Sequence, residues 1–130
     1  MKKNNKKVLI VEDDSLLSRV LSEGFLAEKF KVMVIANGLE VANKVKSFLP
    51  DIILLDLIIP GIDGFAVLKG LKEDEKTKNI PVAVISNLGD VGDVKSVKAL
   101  EADKYFIKAN TEMGEIIKYV KDKLKVYPVK

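Results

Sequence analysis

The chain has 130 residues, 48% of them hydrophobic and 32% charged, the balance of one globular domain rather than of a disordered or fibrous chain. It contains no cysteine and no histidine, which excludes disulfides, thiolate or imidazole metal sites, thiol catalysis, serine–histidine triads and a phosphohistidine carried by the chain itself. The net charge is +3, and Arg19 is the single arginine among 22 basic residues, so the lysines lack the arginine-lined stripe of a nucleic-acid reader and no direct nucleic-acid binding is expected.

The basic start, Lys2, Lys3, Lys6 and Lys7, leads into only four apolar residues, Val8 to Val11, before Glu12-Asp13-Asp14. That is too short for an export signal, and no apolar run is long enough to cross a membrane, so the expected location is cytoplasmic. Residues 8–11 are the first predicted strand. Residues 31–36, 51–56, 80–86 and 105–108 are the next four, each short and rich in β-branched or aromatic residues. Several are apolar throughout rather than alternating, the pattern of parallel strands covered on both faces.

Helix-period segments fill the gaps. Residues 15–29 carry Leu17, Val20, Leu21 and Gly24 on one side, with Asp14 or Ser15 as cap. Residues 39–49 carry Val41, Ala42, Val45 and Phe48 and stop at Pro50; residues 65–72 carry Val67, Leu68 and Leu71. Residues 90–100 carry Val91, Val94 and Val97, and residues 112–125 carry Met113, Ile116, Ile117, Val120 and Leu124. Five strand–helix units predict an α/β fold, a doubly wound five-stranded parallel sheet of order 2-1-3-4-5, flavodoxin-like. Residues 1–130 read as a single domain with its core over about 7–124 and no output domain.

In such a sheet ligands bind beyond the carboxyl ends of the strands, where strand order reverses. The first strand ends in Glu12-Asp13, the third in Asp56, the fourth in Ser86 and the fifth in Lys108. Three converging carboxylates repel one another and call for a proton or a cation. An oxygen-only set with room for water and phosphate suits Mg²⁺ better than Ca²⁺. A lysine opposite them supplies a point charge for a phosphoryl group.

These residues carry a resemblance. Val8 to Asp14, the stretch from Asp51 through Asp56 to Pro60-Gly61-Ile62-Asp63-Gly64, Ile80 to Ser86, and Ala102 to Lys108 together resemble the receiver domain of two-component response regulators, CheY-like and of the single-domain kind. The likeness runs from about Lys7 to Leu124. It implies that Asp56 is the phosphoacceptor, taking its phosphoryl group from a sensor histidine kinase or a histidine phosphotransfer protein. It implies that Asp13 binds Mg²⁺ directly, that Glu12 acts mostly through water, and that Asp56 and the backbone carbonyl of Ile58 complete the protein ligands. Lys108 and Ser86 would bind the phosphoryl oxygens, and Tyr105 would change rotamer with Ser86. The surface formed by the fourth predicted helix, the fifth strand and the last helix would then switch for a downstream protein target. The chain would be a monomer or a phosphorylation-dependent dimer, and no enzyme beyond self-directed phosphotransfer and dephosphorylation.

Three departures from the family pattern bear on this. Glu12 stands where Asp is commoner. Ala109 follows Lys108 where proline is usual, which bears on the pose of Lys108. Ile58 and Leu88, both bulky and apolar, flank the path of a hydrolytic water and would slow loss of the phosphoryl group. The competing readings are a degenerate receiver acting as a constitutive interaction module and a small phosphatase. The phosphatase lacks a second aspartate at position 58, and a further alternative, a nucleotide-binding module, lacks a phosphate-cradling glycine loop after the first strand.

Overall fold

The computed structural model describes residues 5–87, 98 and 100–126. Five strands, β1 (Lys7–Val11), β2 (Lys31–Ile35), β3 (Ile52–Leu55), β4 (Val82–Ser86) and β5 (Lys104–Ile107), form one sheet of order β2-β1-β3-β4-β5. All four pairings are parallel. Helices α1 (Ser15–Ala27), α2 (Val41–Phe48) and α3 (Gly64–Glu73) follow β1, β2 and β3, and a C-terminal helix spans Met113–Leu124. The expected order is therefore present. Four helices are described where five were expected, because the helix predicted over residues 90–100 falls almost wholly outside the described residues.

The continuously apolar strands are explained by their two covered faces. Side chains alternate across a strand. Leu9, Val11, Ile53, Leu55, Val82 and Val84 point to one side, where Val41 and Val45 of α2 and Val67, Leu68 and Leu71 of α3 close over them. Val8, Ile10, Ile52, Leu54, Ala83 and Ile85 point to the other, against Leu21 and Phe25 of α1 and Ile116 and Val120 of the C-terminal helix. Each layer excludes water over a full helix–sheet contact, at about 25 cal/mol per Å² of apolar surface removed.

The helix faces show where periodicity alone misplaced a residue. The face predicted for α1 included Val20, which is 42% exposed; Ser18, Leu21 and Phe25 are the buried positions. Of the four predicted positions Leu17 and Leu21 do face the core, and Val20 is the one turned out. Gly24 remains on the inner side, where an added Cβ would stand 2.5 Å from Ile117 Cδ1. That close approach lets α1 lie against the C-terminal helix, and Lys121 is ion-paired with Glu28 across the same seam. Asp14 is the α1 cap, its Oδ1 accepting from Leu16 N at 3.0 Å and Leu17 N at 3.1 Å. Leu49, just ahead of Pro50, ends α2 in the left-handed region at φ 54°.

Register delivers the strand ends to one edge. Val11 pairs with both Ile35 and Leu55, so Glu12 and Asp56 emerge side by side. Asp56 N–H donates to Val11 O at 3.0 Å, and Glu12 N–H to Ile35 O at 3.0 Å. Val84 pairs with Leu55 and with Tyr105, and Ser86 pairs with Ile107, so Lys108 leaves β5 at the same edge.

Candidate functional site

The site is built from the ends of β1, β3 and β5. Glu12 and Asp56 are 3% and 4% exposed, an unusual burial for two carboxylates without compensation. Lys108 supplies it: Nζ lies 2.7 Å from Glu12 Oε1 and 2.7 Å from Asp56 Oδ2. The second oxygen of each acid is held by its own loop. Asp14 N–H donates to Glu12 Oε2 at 3.1 Å, and Ile58 N–H donates to Asp56 Oδ1 at 3.0 Å. Asp13 is exposed beside them, and oxygens of Glu12, Asp13 and Asp56 all lie within 4.8 Å of one another.

This donor set fits a hard divalent cation. With all three carboxylates ionised they carry −3 and Lys108 +1, so the fully ionised cluster is left at −2 with oxygen-only donors. The exposed Asp13 leaves one side open to solvent, as an ion that keeps several waters requires.

Electrostatics mark Glu12 in particular. Burial pushes its carboxyl from an ordinary 4.5 up to about 7, with Asp56 adding to the shift and the hydrogen bonds from Lys108 and the Asp14 amide opposing it. Burial would lower the Lys108 ammonium, but its hydrogen bonds to Asp56 and Glu12 and their charges outweigh burial and raise it. Between pH 4.5 and 7 the folded protein then holds more protons on Glu12 than the unfolded chain. Metal-free stability therefore rises as pH falls from above 7 towards 4.5 and levels off below. Melting curves of wild type and Glu12→Gln across about pH 4.5–8 check this. The difference between the two proteins should change through that window, and a constant offset would contradict it. A divalent ion competes with the same proton, so Mg²⁺ affinity should increase as pH rises through about 7.

Ser86 is fully buried at the end of β4. Tyr105 is half-buried and packs against the core layer beneath α2 and α3. Ala109 does not divert Lys108: the amine reaches both acids from the first residue of a 3₁₀ turn (Lys108–Asn110), and the described peptide bonds are all trans. Ile58 is exposed directly after the Asp56 loop bond, while Leu88 lies outside the described residues.

Sequence reasoning missed what holds the loop after β3. Gly64, at the start of α3, has no room for a side chain; a Cβ there would stand 2.3 Å from Leu57 Cα. Gly61 adopts φ +94°, a conformation that favours glycine. Gly38 N–H donates to Pro60 O at 2.9 Å, and Asn37 Oδ1 accepts from Leu39 N–H at 2.8 Å beside Gly61. The Asn37-Gly38 pair is a turn signal in the sequence, but nothing there says which loop it braces.

A family model described as the response regulator receiver domain matches residues 8–121. Sporulation initiation phosphotransferase F of Bacillus subtilis is 35% identical over 104 residues, covering 80% of this chain and 82% of that protein. The dual master transcriptional regulator RpaA of Synechocystis is 32% identical over 102 residues, 78% of this chain but only 42% of that protein. This chain thus spans under half the length of several of the transcriptional regulators it matches. Among solved structures, the phosphorylated cyanobacterial phytochrome response regulator RcpA superposes with a TM-score of 0.83 at 26% identity, covering 97% of this chain and 98% of that one.

Proposed function

The chain belongs to the response regulator receiver domain family, and on that premise we propose that it is a phosphoacceptor switch in which Asp56 takes a phosphoryl group from a phosphohistidine donor. The observation that carries this is the gathering of Glu12, Asp13 and Asp56 around Lys108 at one sheet edge.

Asp56 is the nucleophile. Its carboxylate oxygen forms the new P–O bond as the donor's P–N bond breaks, and the electron pair of that bond goes to the imidazole nitrogen, which takes up a proton from solvent. The Ile58 amide fixes Asp56 Oδ1, so the carboxylate meets the phosphorus in one orientation. Asp13, Asp56 and the Ile58 carbonyl are the residues that would hold Mg²⁺, with Glu12 acting through a metal-bound water. Mg²⁺, when bound, neutralises charge that would otherwise repel the incoming phosphoryl group. Lys108 shifts its hydrogen bonds from the two acids to the phosphoryl oxygens. The Ser86 hydroxyl donates to another of those oxygens, and Tyr105 repacks with it. The displacement is passed to β5 and the C-terminal helix, which meet the downstream target. A phosphoryl group biases such an equilibrium by about 1–3 kcal/mol, so the switch shifts populations rather than locking one state.

The donor is a sensor histidine kinase or a histidine phosphotransfer protein, as the lack of histidine in this chain requires an imidazole from elsewhere. The name of the B. subtilis relative, a phosphotransferase, and the phosphorylated state of the cyanobacterial structure both support this reading. The protein then works in the cytoplasm, acts on itself rather than turning over a separate substrate, and is a monomer or dimerises on phosphorylation. Among the described residues no helix is long and apolar enough to cross a membrane.

Incubation with a small phosphodonor and Mg²⁺, followed by intact-mass measurement, tests the proposal. One added phosphoryl group, lost when Mg²⁺ is chelated beforehand, is the expected result. A protein that stays unmodified would instead be the degenerate receiver. Ile58 also bears on how long the phosphoryl group lasts, since its side chain is exposed and its amide binds Asp56. Replacing Ile58 and Leu88 together by polar residues should shorten the phosphoprotein half-life by about ten-fold, equivalent to ~1.4 kcal/mol off the hydrolysis barrier. Decay of label after donor removal measures it, and an unchanged half-life would count against the water-excluding role.

A further inference from the structure

Three helices stop at the end of the sheet opposite Asp56, and each stops in the left-handed region without a glycine. Lys29 (φ 69°) follows α1, Leu49 (φ 54°) follows α2 and Lys125 (φ 56°) follows the C-terminal helix. The bonds are those of regular helix stops. Phe30 N–H donates to Phe25 O at 3.1 Å and Lys29 N–H to Leu26 O at 3.0 Å; Val126 N–H donates to Lys121 O at 2.8 Å and Lys125 N–H to Asp122 O at 3.3 Å; Leu49 N–H donates to Val45 O at 2.9 Å. Glycine is the favoured residue at such a stop, and a side chain there is strained against its own backbone. Folding by itself therefore does not ask for two lysines and a leucine at these positions.

The three stops lie on one surface. The ion pair of Lys121 with Glu28 joins the last turn of the C-terminal helix to the end of α1. Lys31 N–H donates to Lys6 O at 3.0 Å and Lys7 Nζ to Phe48 O at 3.0 Å, which continues the surface across the starts of β2 and β1 to the end of α2. The acids among them are engaged within the fold: Glu28 with Lys121, Asp122 with Lys118, and Asp51, whose Oδ2 accepts from Lys7 N–H at 2.8 Å. Lys29, Lys31, Lys46 and Lys125 are exposed, and among the described residues none of the four pairs with an acid. Leu26, in the last turn of α1, is 53% exposed and Leu49 67%. Because every strand runs the same way, the cluster of Glu12, Asp13 and Asp56 sits at the far end.

We propose that this end is a docking surface for an anionic lipid bilayer, with Lys29, Lys31, Lys46 and Lys125 on the headgroups and Leu26 and Leu49 entering between them. Lysines attract anionic headgroups as point charges, without the bidentate arginine contacts of a nucleic-acid reader. Exposed leucines find acyl chains at a membrane surface and nothing apolar along a nucleic-acid backbone. The charge separation along the molecule sets the orientation: the basic end meets the bilayer and the acidic pocket faces away from it, open to solvent. A few lysines and two leucines make a reversible attachment rather than an anchor. This inference does not depend on Asp56 being the acceptor.

The test sediments the full chain with phosphatidylcholine vesicles, with and without about one-third phosphatidylglycerol, at low and at high salt. Wild type is compared with Lys29→Gly/Lys125→Gly, Lys31→Gln/Lys46→Gln and Leu49→Gly, and each protein is melted without vesicles. Wild type should bind the anionic vesicles at low salt, and about ten-fold more weakly at high salt or on neutral vesicles. Each lysine pair should weaken anionic binding about ten-fold and Leu49→Gly about three-fold, while the glycine variants melt no lower than wild type. No binding of wild type to the anionic vesicles, or variants that bind as wild type does, would overturn the proposal. Binding to neutral vesicles as tight as to anionic ones would overturn it too. Duplex DNA or polyglutamate held as tightly as the anionic vesicles would give the surface to another polyanion and overturn the lipid assignment. Glycine variants that melt lower would return those side chains to the fold, and the Lys31→Gln/Lys46→Gln pair would then decide the matter.

Discussion

Asp56→Asn will gain no phosphoryl group from a small donor or from a protein donor, while folding as wild type does. The amide is a poor nucleophile where the carboxylate is a good one, and no neighbouring group takes its place. Glu12 is turned into the protein by Lys108 and the Asp14 amide, and Asp13 stands on the open side. The substitution is nearly isosteric. The new carboxamide would keep its acceptor oxygen towards the Ile58 amide, but its NH₂ would face the Lys108 ammonium in place of an oxygen at 2.7 Å. Removing one of three repelling charges offsets part of that loss, so stability should stay within about 1 kcal/mol of wild type. Mg²⁺ affinity should fall, because the fully ionised cluster drops from −2 to −1. Intact mass after labelling, a melting curve and a Mg²⁺ titration read the three effects separately. Persistent single labelling of the variant would place the acceptor elsewhere.

Lys108→Ala combines the largest loss of stability with a loss of transfer. It leaves Glu12 and Asp56 buried beside each other with no counter-charge. Removing one partner of a buried ion pair typically costs about 3–5 kcal/mol, and partial solvent access to the lysine puts the value here at about 3 kcal/mol without metal. Mg²⁺ should restore much of this, since a divalent ion at the same acids supplies the missing charge, so the variant should be stabilised by Mg²⁺ more than wild type is. Acid should restore part of it too. With the ammonium gone, Glu12 loses the largest influence that lowers its carboxyl pKa and is protonated at a higher pH. Phosphoryl transfer in saturating Mg²⁺ should still drop by about 100-fold, the usual cost of deleting one preorganised charge at a transferring group. Urea unfolding with and without Mg²⁺, alongside small-donor labelling, measures both. Equal stability of variant and wild type in chelator would mean that the lysine does not balance the acids.

Lys108 also shows the limit of reading by family pattern. A proline is usual after it, and Ala109 made its pose an open matter, yet the side chain spans from β5 to both acids. The reason is electrostatic: two buried carboxylates form a well deep enough to orient a four-carbon arm whatever follows it. Val20 is the converse. Its place in the helical repeat suggested a core residue, but the rotation of α1 on the sheet is set by the packing of Phe25 and Leu21, and Val20 was turned out to solvent.

The order of elements, the two-sided parallel sheet and the identity of the acids, the serine and the lysine at the strand ends were all present in the sequence, because period, composition and strand termini are local properties of a chain. That Glu12 and Asp56 share one ammonium, that Glu12 is pushed to about 7, and that the Asn37-Gly38 turn fastens the loop after Asp56 came only with the tertiary structure. Those facts depend on burial and on contacts between residues far apart in the chain, such as Glu12 and Lys108, and no local pattern encodes a distance across the sheet.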